Sequence, residues 1–320
     1  MPHVPPSIAT DIKAMAASLG FDVCGFTTAR SIDELAHRRY DQWLEQEHHG
    51  CMEWAARHQD VRDDPRLLLE GAQSVIMLAM NYYPACRQPA DAPQFAAYAY
   101  GRDYHEVVRE RLHRLAAFIT GQTGCDCRCC VDTAPLRERY WAQQAGLGFI
   151  GLNNQLIVPG RGSYFFLGGI VTSLPLPPDE PCTFTCGECR ACIDACPTQA
   201  LPADGAVDAR RCLSCLTIEL RGPLPEWAGK AMGNRVYGCD VCQQCCPHNR
   251  HATPTAVPEF LPSEAFLRLT ADDIRRMTPS TFSQLFAHSA VRRTKLSGLQ
   301  RNQAAIDAAD TPEESQQSTT

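Results

Sequence analysis

No run of apolar residues in this chain approaches the roughly 20 that a helix needs to cross a bilayer, so no membrane partner is expected. The first twenty residues lack the basic, apolar and small-residue order of a secretory leader, because Asp11 and Lys13 interrupt the apolar stretch. Neither a G-x-G-x-x-G fingerprint nor a G-x-x-x-x-G-K-[ST] loop is present, which leaves a dinucleotide or P-loop fold without sequence support. No internal repeat is visible. The net charge of −6 argues weakly against a broad nucleic-acid face. Four of the acids (Asp307, Asp310, Glu313, Glu314) stand in the last 14 residues with no base among them, and without those four the charge is −2. Arg292, Arg293, Lys295 and Arg301 fall in a stretch that holds no acid, so a local basic face competes with an ordinary solvated helix surface.

Cysteine is what the chain has in excess. Eighteen are present among 320 residues, and eleven of them stand between Cys182 and Cys246 inclusive. A chain of this length with 44% hydrophobic residues can bury a core without a disulfide frame. Clustered cysteines in such a chain point to metal ligands in a reducing, cytoplasmic setting.

Read in order, the chain alternates strand and helix signals over residues 1–175, which predicts an α+β domain around a central sheet. Pro5 and Pro6 precede apolar residues at helical spacing (Ile8, Ile12, Met15, Leu19) that end at Gly20. Phe21 to Thr28 reads as a strand, and Ser31 with Glu34 as a capping box. The continuous apolar run Ser74 to Tyr83 predicts a central strand buried on both faces. Tyr104 to Thr120 has helical spacing, Cys125 to Asp132 reads as a strand, and Pro135 opens the next helix. Gln155 to Val158 and Ser163 to Ser173 are further strands. Pro175, Pro177, Pro178 and Pro181 mark a boundary. The expected organisation is therefore 1–175 as the α+β domain, 176–253 as a cysteine-rich domain, 254–302 as a helical segment and 303–320 as a disordered tail.

Cys186, Cys189, Cys192 and Cys196, with Pro197 following, spell C-x₂-C-x₂-C-x₃-C-P. Three thiolates of that loop can face one iron–sulfur cubane while the fourth turns to a second one. Cys239, Cys242, Cys245 and Cys246-Pro247 supply the other half. The crossed pattern assigns Cys186, Cys189, Cys192 and Cys246 to one [4Fe–4S] cluster and Cys196, Cys212, Cys239 and Cys242 to another. Cys215 rivals Cys212, and Cys245 rivals Cys246. Zinc could use the C-x₂-C pairs, but two Cys-Pro endings around one segment do not suit it. Cys125, Cys127, Cys129 and Cys130 read as thiols of a partly buried strand.

Several stretches also resemble the epoxyqueuosine reductase family: Val131-Asp132-Thr133-Ala134-Pro135, Ala145 to Gly151, Gly162 to Gly168, Cys212 to Glu219 and the cysteine pattern. The resemblance runs from about Gly20 to Asn302. It implies reduction of epoxyqueuosine to queuosine at the wobble position of tRNA, with two [4Fe–4S] clusters, cobalamin and an external electron donor, in a cytoplasmic monomer whose first domain binds cobalamin. By position, Asp132 matches the catalytic proton donor, a role for which burial would have to keep the carboxyl protonated. Capping of a helix at Pro135 is the purely structural alternative for it. Arg57, Asp132, Leu156, Leu167, Ser214, Cys239 and Asp240 match cobalamin-contact positions, and Arg221 a position near the tRNA. Leu152 stands where the family has lysine, and Cys215 where it has tyrosine. Many members carry a C-terminal helical-repeat extension beyond the matching stretch, which would throw more of the tRNA contact onto Arg292 to Arg301. A reductive dehalogenase-like enzyme and a ferredoxin-like carrier are the alternatives; some 170 residues ahead of the clusters exceed what a carrier needs.

Overall fold

The computed structural model describes residues 7–203 and 205–310. Pro5 and Pro6 lie outside the described residues, as does the end of the expected tail from residue 311. The first part of the chain runs α1 (Ile8–Ser18), β1 (Val23–Thr28), α2 (Glu34–Glu45), α3 (Gln59–Asp63), β2 (Ser74–Asn81), β3 (Gln94–Phe95) and α4 (Tyr104–Thr123). It continues through β4 (Cys127–Cys130), α5 (Glu138–Gln144), β5 (Phe149–Ile150), β6 (Leu156–Ile157) and β7 (Phe165–Thr172). The cysteine segment holds α6 (Ala191–Ala195), α7 (Leu213–Ile218), α8 (Ala228–Met232), β8 (Arg235–Tyr237) and α9 (Val241–Gln244). Four helices close the described chain: α10 (Glu264–Leu267), α11 (Ala271–Arg276), α12 (Pro279–Leu285) and α13 (Lys295–Asp310).

The α+β expectation holds. Four strands form an antiparallel sheet in the order β1-β2-β7-β4. All eight residues of β2 are buried because the sheet is covered on both faces. Ile76, Leu78 and Met80 meet α1 and α4, whereas Val75, Met77 and Ala79 meet Trp141 and Ala142 of α5. This two-sided burial is why β2 reads as a continuous apolar run rather than an alternating one. Helix α4 crosses β7 closely: a Cβ on Gly168 would lie 2.9 Å from Val108 and 3.0 Å from Leu112.

Several local expectations change. Helix α2 is capped by Asp33, whose carboxylate accepts from the Ala36 N–H at 2.9 Å, while the Ser31 hydroxyl donates to Asp64. Helix α5 begins at Glu138 rather than at Pro135, leaving 131–137 as irregular chain. Helix α13 continues through Asp310, so 303–310 is folded rather than tail: Ile306 is buried, and Asp307 takes two hydrogen bonds from Arg275 of α11. The boundary near Pro175 does not divide the packing cleanly. β3 pairs in parallel with β8, and Phe95, Ala99 and Tyr100 share a core with Tyr237, Phe266, Phe286 and Leu299. No helix among the described residues is long and apolar enough to cross a membrane.

Candidate active site and cluster ligands

The cysteine segment is mostly loops punctuated by helices of four to six residues, and these short turns deliver the thiols. Helix α6 packs on α9. Cys192 lies within electrostatic reach of Cys186 and Cys246, and Cys246 in turn of Cys186 and Cys189. Cys242 lies within the same reach of Cys239 and Cys212, and Cys212 of Cys196. Cys245 lies within the same reach of Cys192, Cys189 and Cys196, and Cys242 of Cys192, so these proximities gather the cysteines without dividing them into two sets of four. The two rivals, Cys215 near Cys212 and Cys245 near Cys192 and Cys246, also make contacts of their own. The Cys215 sulfur lies 3.7 Å from that of Cys51, and the Cys245 thiol donates to the carbonyls of Ala191 and Cys242.

Two backbone N–H groups point at sulfurs expected to be ligands, Leu152 at Cys186 (3.4 Å) and Ala200 at Cys196 (3.3 Å). Hydrogen bonds of this kind tune a cluster's potential. At 152 this contact is made by the backbone and does not require a particular side chain. Burial pushes the Cys192 and Cys239 thiols up to about 11 and Cys242 further still. Iron binding must therefore displace protons from neutral thiols. Among the described residues no three His, Cys, Asp or Glu side chains converge as ligands of a single ion would. Thiolates sharing a cubane are held further apart by its irons, so the donor set fits two [4Fe–4S] clusters.

The second part of the site forms where β4 ends. Asp132 has φ +44°, a left-handed conformation that aspartate tolerates better than most residues. Its N–H donates to Glu138 Oε1 at 2.8 Å, and its Oδ2 pairs with His105 Nε2 at 2.8 Å. His105 Nδ1 pairs with Asp103 Oδ1 at 2.7 Å, and its ring stacks on Tyr104. Asp103 is the N-cap of α4, so one short turn presents Asp103, Tyr104 and His105 to the loop after β4. The Asp132 side chain is 51% exposed although protein surrounds it on most sides, as on the wall of a cleft. It does not cap α5, whose N-cap is Arg137 and has no side-chain bond.

The electrostatics of this cleft reverse one expectation. Burial alone would raise the Asp132 carboxyl, but the hydrogen bond and charge of His105 and the Tyr104 hydroxyl outweigh it and hold it below the ordinary range. Burial alone would lower His105, yet the bonds to Asp103 and Asp132 raise it to about 9. Burial and the Asp132 charge push Glu138 up to about 8. Near neutral pH the protons therefore reside on His105 and Glu138, with Asp132 ionised between them. The charge of Arg293, itself ion-paired with Glu219 at 2.7 Å, also reaches Asp132. Tyr237, two residues before Cys239, feels both Asp103 and Arg293, so β8 links the cleft to the cysteine segment.

The remaining expected contact residues are dispersed in character. Arg57 is exposed at the end of a 3₁₀ turn, and its guanidinium makes no hydrogen bond or ion pair among the described residues. Leu156 is buried in the core on the α5 side of the sheet, with Leu167 packed partly against it. Ser214 is half-buried on α7. Asp240 is buried, accepts the Ala97 N–H at 2.7 Å and lies 3.9 Å from Arg87. The Arg221 guanidinium donates to the carbonyls of Ile218 and Arg293. His105, Asp103, Glu138 and Arg293 were not singled out for the cleft. The one signal was an Asp-x-His triplet opening a helix.

The fold and donor set define a two-cluster iron–sulfur protein that also carries a hydrogen-bonded acid–base group of Asp132, His105 and Asp103. A family model described as a 4Fe-4S double cluster binding domain matches residues 185–249, and one described as epoxyqueuosine reductase QueG, DUF1730, matches 62–133. An epoxyqueuosine reductase of Leadbetterella byssophila is 45% identical over 300 residues, covering 92% of this chain and 97% of that one. The structure of an epoxyqueuosine reductase with an epoxyqueuosine-modified tRNA-Tyr stem loop superposes with a TM-score of 0.87 at 32% identity, over 95% of this chain and 81% of that one. A Bacillus subtilis structure whose catalytic aspartate loop is swung out of the active site matches at 0.84 and 32%, over 95% and 82%. The chain belongs to the epoxyqueuosine reductase family.

Proposed function

We propose that this protein reduces epoxyqueuosine to queuosine at the wobble position of tRNA, with electrons from an external donor passing through two [4Fe–4S] clusters to cobalamin. The observation that carries the reading is the Asp132–His105 pair, in a chain whose cysteine segment supplies the eight proposed cluster ligands. Removing the epoxide oxygen as water consumes two electrons and two protons. Cobalamin, when bound, supplies the reducing chemistry that opens the C–O bond. Asp132 faces the reacting oxygen and delivers the first proton, drawing it from His105 Nε2. Asp103 keeps the ring aimed by holding Nδ1. Glu138, neutral because burial and Asp132 raise it to about 8, is the second proton store.

Arg57, Asp132, Leu156, Leu167, Ser214, Cys239 and Asp240 would hold cobalamin. The residues suit that group: Arg57 has a free guanidinium for its polar periphery, while Leu156 and Asp240, committed to core and backbone, would serve through their main chain. The clusters take Cys186, Cys189, Cys192 and Cys246, and Cys196, Cys212, Cys239 and Cys242. The tRNA backbone is met by the exposed Arg292, Arg293 and Lys295, with Arg221 as their carbonyl-bonded brace. By contrast Arg301 is spent on the carbonyls of Leu216, Leu220 and Gly222. Eighteen unpaired cysteines suit a reducing cytoplasm, and we read the working form as a monomer.

The test is nucleoside analysis after anaerobic incubation of cluster- and cobalamin-loaded protein with epoxyqueuosine-containing tRNA and a chemical reductant. Queuosine is expected. Unchanged epoxyqueuosine from fully loaded protein would refute the reading. Binding of the tRNA should weaken steeply with salt.

A further inference from the structure

Cys51 and Cys215 have no place in the chemistry above, yet their sulfurs lie 3.7 Å apart across 164 residues of chain. Cys51 is exposed and Cys215 buried. Cys215 sits on α7, whose N-cap is the proposed ligand Cys212. The turn that carries Cys51 is already docked on the same segment. Trp43 Nε1–H donates to the Val207 carbonyl at 2.8 Å, the Ala209 N–H donates to the His48 carbonyl at 2.7 Å, and Gly50 presses on Arg210. The sulfurs therefore face each other across a preformed contact, and closing to about 2.05 Å needs only a short approach.

We propose that Cys51 and Cys215 form a reversible disulfide that ties the turn after α2 to the cluster-bearing helix α7. The oxidant is a low-molecular-weight disulfide. The accessible Cys51 attacks it as thiolate and forms a mixed disulfide, releasing one small thiol. Cys215 then attacks the Cys51 sulfur, releasing the second. One S–S bond forms in the protein as one breaks in the oxidant; two electrons and two protons leave the cysteines and reappear on the two released thiols. In a reducing compartment such a bond is transient and reports redox state. It also occupies the cysteine nearest to competing with Cys212 for iron. The inference uses the cluster assignment only at Cys212 and does not depend on the substrate.

Holo-protein carrying both clusters is treated anaerobically with oxidised glutathione, digested and analysed by mass spectrometry. A linked Cys51–Cys215 peptide pair, two hydrogens lighter than the reduced peptides and cleaved by dithiothreitol, is expected, with iron content unchanged. Cys51→Ser should abolish it. Cys215→Ser should leave glutathione on Cys51 and keep both clusters. Glutathione on Cys51 of the unsubstituted protein, with Cys215 still free to alkylate, would overturn this inference alone. Loss of about half the iron in Cys215→Ser would overturn it and the ligand assignment together.

Discussion

The cysteine segment and the Asp132 cleft are built in opposite ways. In the segment the chemistry is local: three thiols of one group fall within seven residues, Cys186 to Cys192, and the turns exist to deliver them. In the cleft the chemistry is assembled by the fold. Asp103 and His105 come from the start of α4, Asp132 from the end of β4, Glu138 from α5, and the Arg293–Glu219 pair from positions 74 residues apart. A local motif survives in spacing. A tertiary one leaves only residue types.

The contrast predicts that changes in the segment are all-or-none and changes in the cleft graded. Cys212→Ala should lose one cluster, lowering iron from about eight to about four per chain, and should abolish turnover, whereas Cys245→Ala should keep both clusters. If Cys245→Ala loses iron and Cys246→Ala does not, the assignment at that site is wrong.

His105→Gln removes the proton reserve but neither a cluster ligand nor Asp132. Turnover should fall by about ten-fold or more, with iron content and tRNA affinity unchanged. The pH profile sharpens this further. Free imidazole loses its proton near 6.5, while His105 keeps its own up to about 9. Turnover that draws on this proton is therefore lost as pH rises through about 9, giving an alkaline limb there. Asp103→Asn removes one of the two carboxylates that raise His105, so the limb should move to lower pH. A limb that stays in place would detach His105 from the chemistry. The smallest effect belongs to the surface: Asp307→Asn breaks an exposed ion pair to Arg275 and should cost no more than about 1 kcal/mol in a denaturant melt.

The same contrast explains what could be read without coordinates. The buried strand β2 was legible because a sheet covered on both faces demands a continuous apolar run, and the double-cluster segment because ligation demands spacing. The start of α5 was misread because proline at 135 offered a helix opening, while the chain instead spends 131–137 on placing Asp132 against His105. The end of α13 was misread because its acids suggested a tail, yet Asp307 answers Arg275 across the helix pair. Asp132 was singled out through resemblance, and its pairing with His105 was not legible. The donor role required a neutral acid, whereas His105, distant in sequence, holds the Asp132 carboxyl below the ordinary range.

Single-turnover conversion by Asp132→Asn, at full iron and cobalamin loading, tests the central claim most directly. The account predicts intact clusters and a rate lower by roughly 10²-fold or more. A near-normal rate from the fully loaded variant would contradict it.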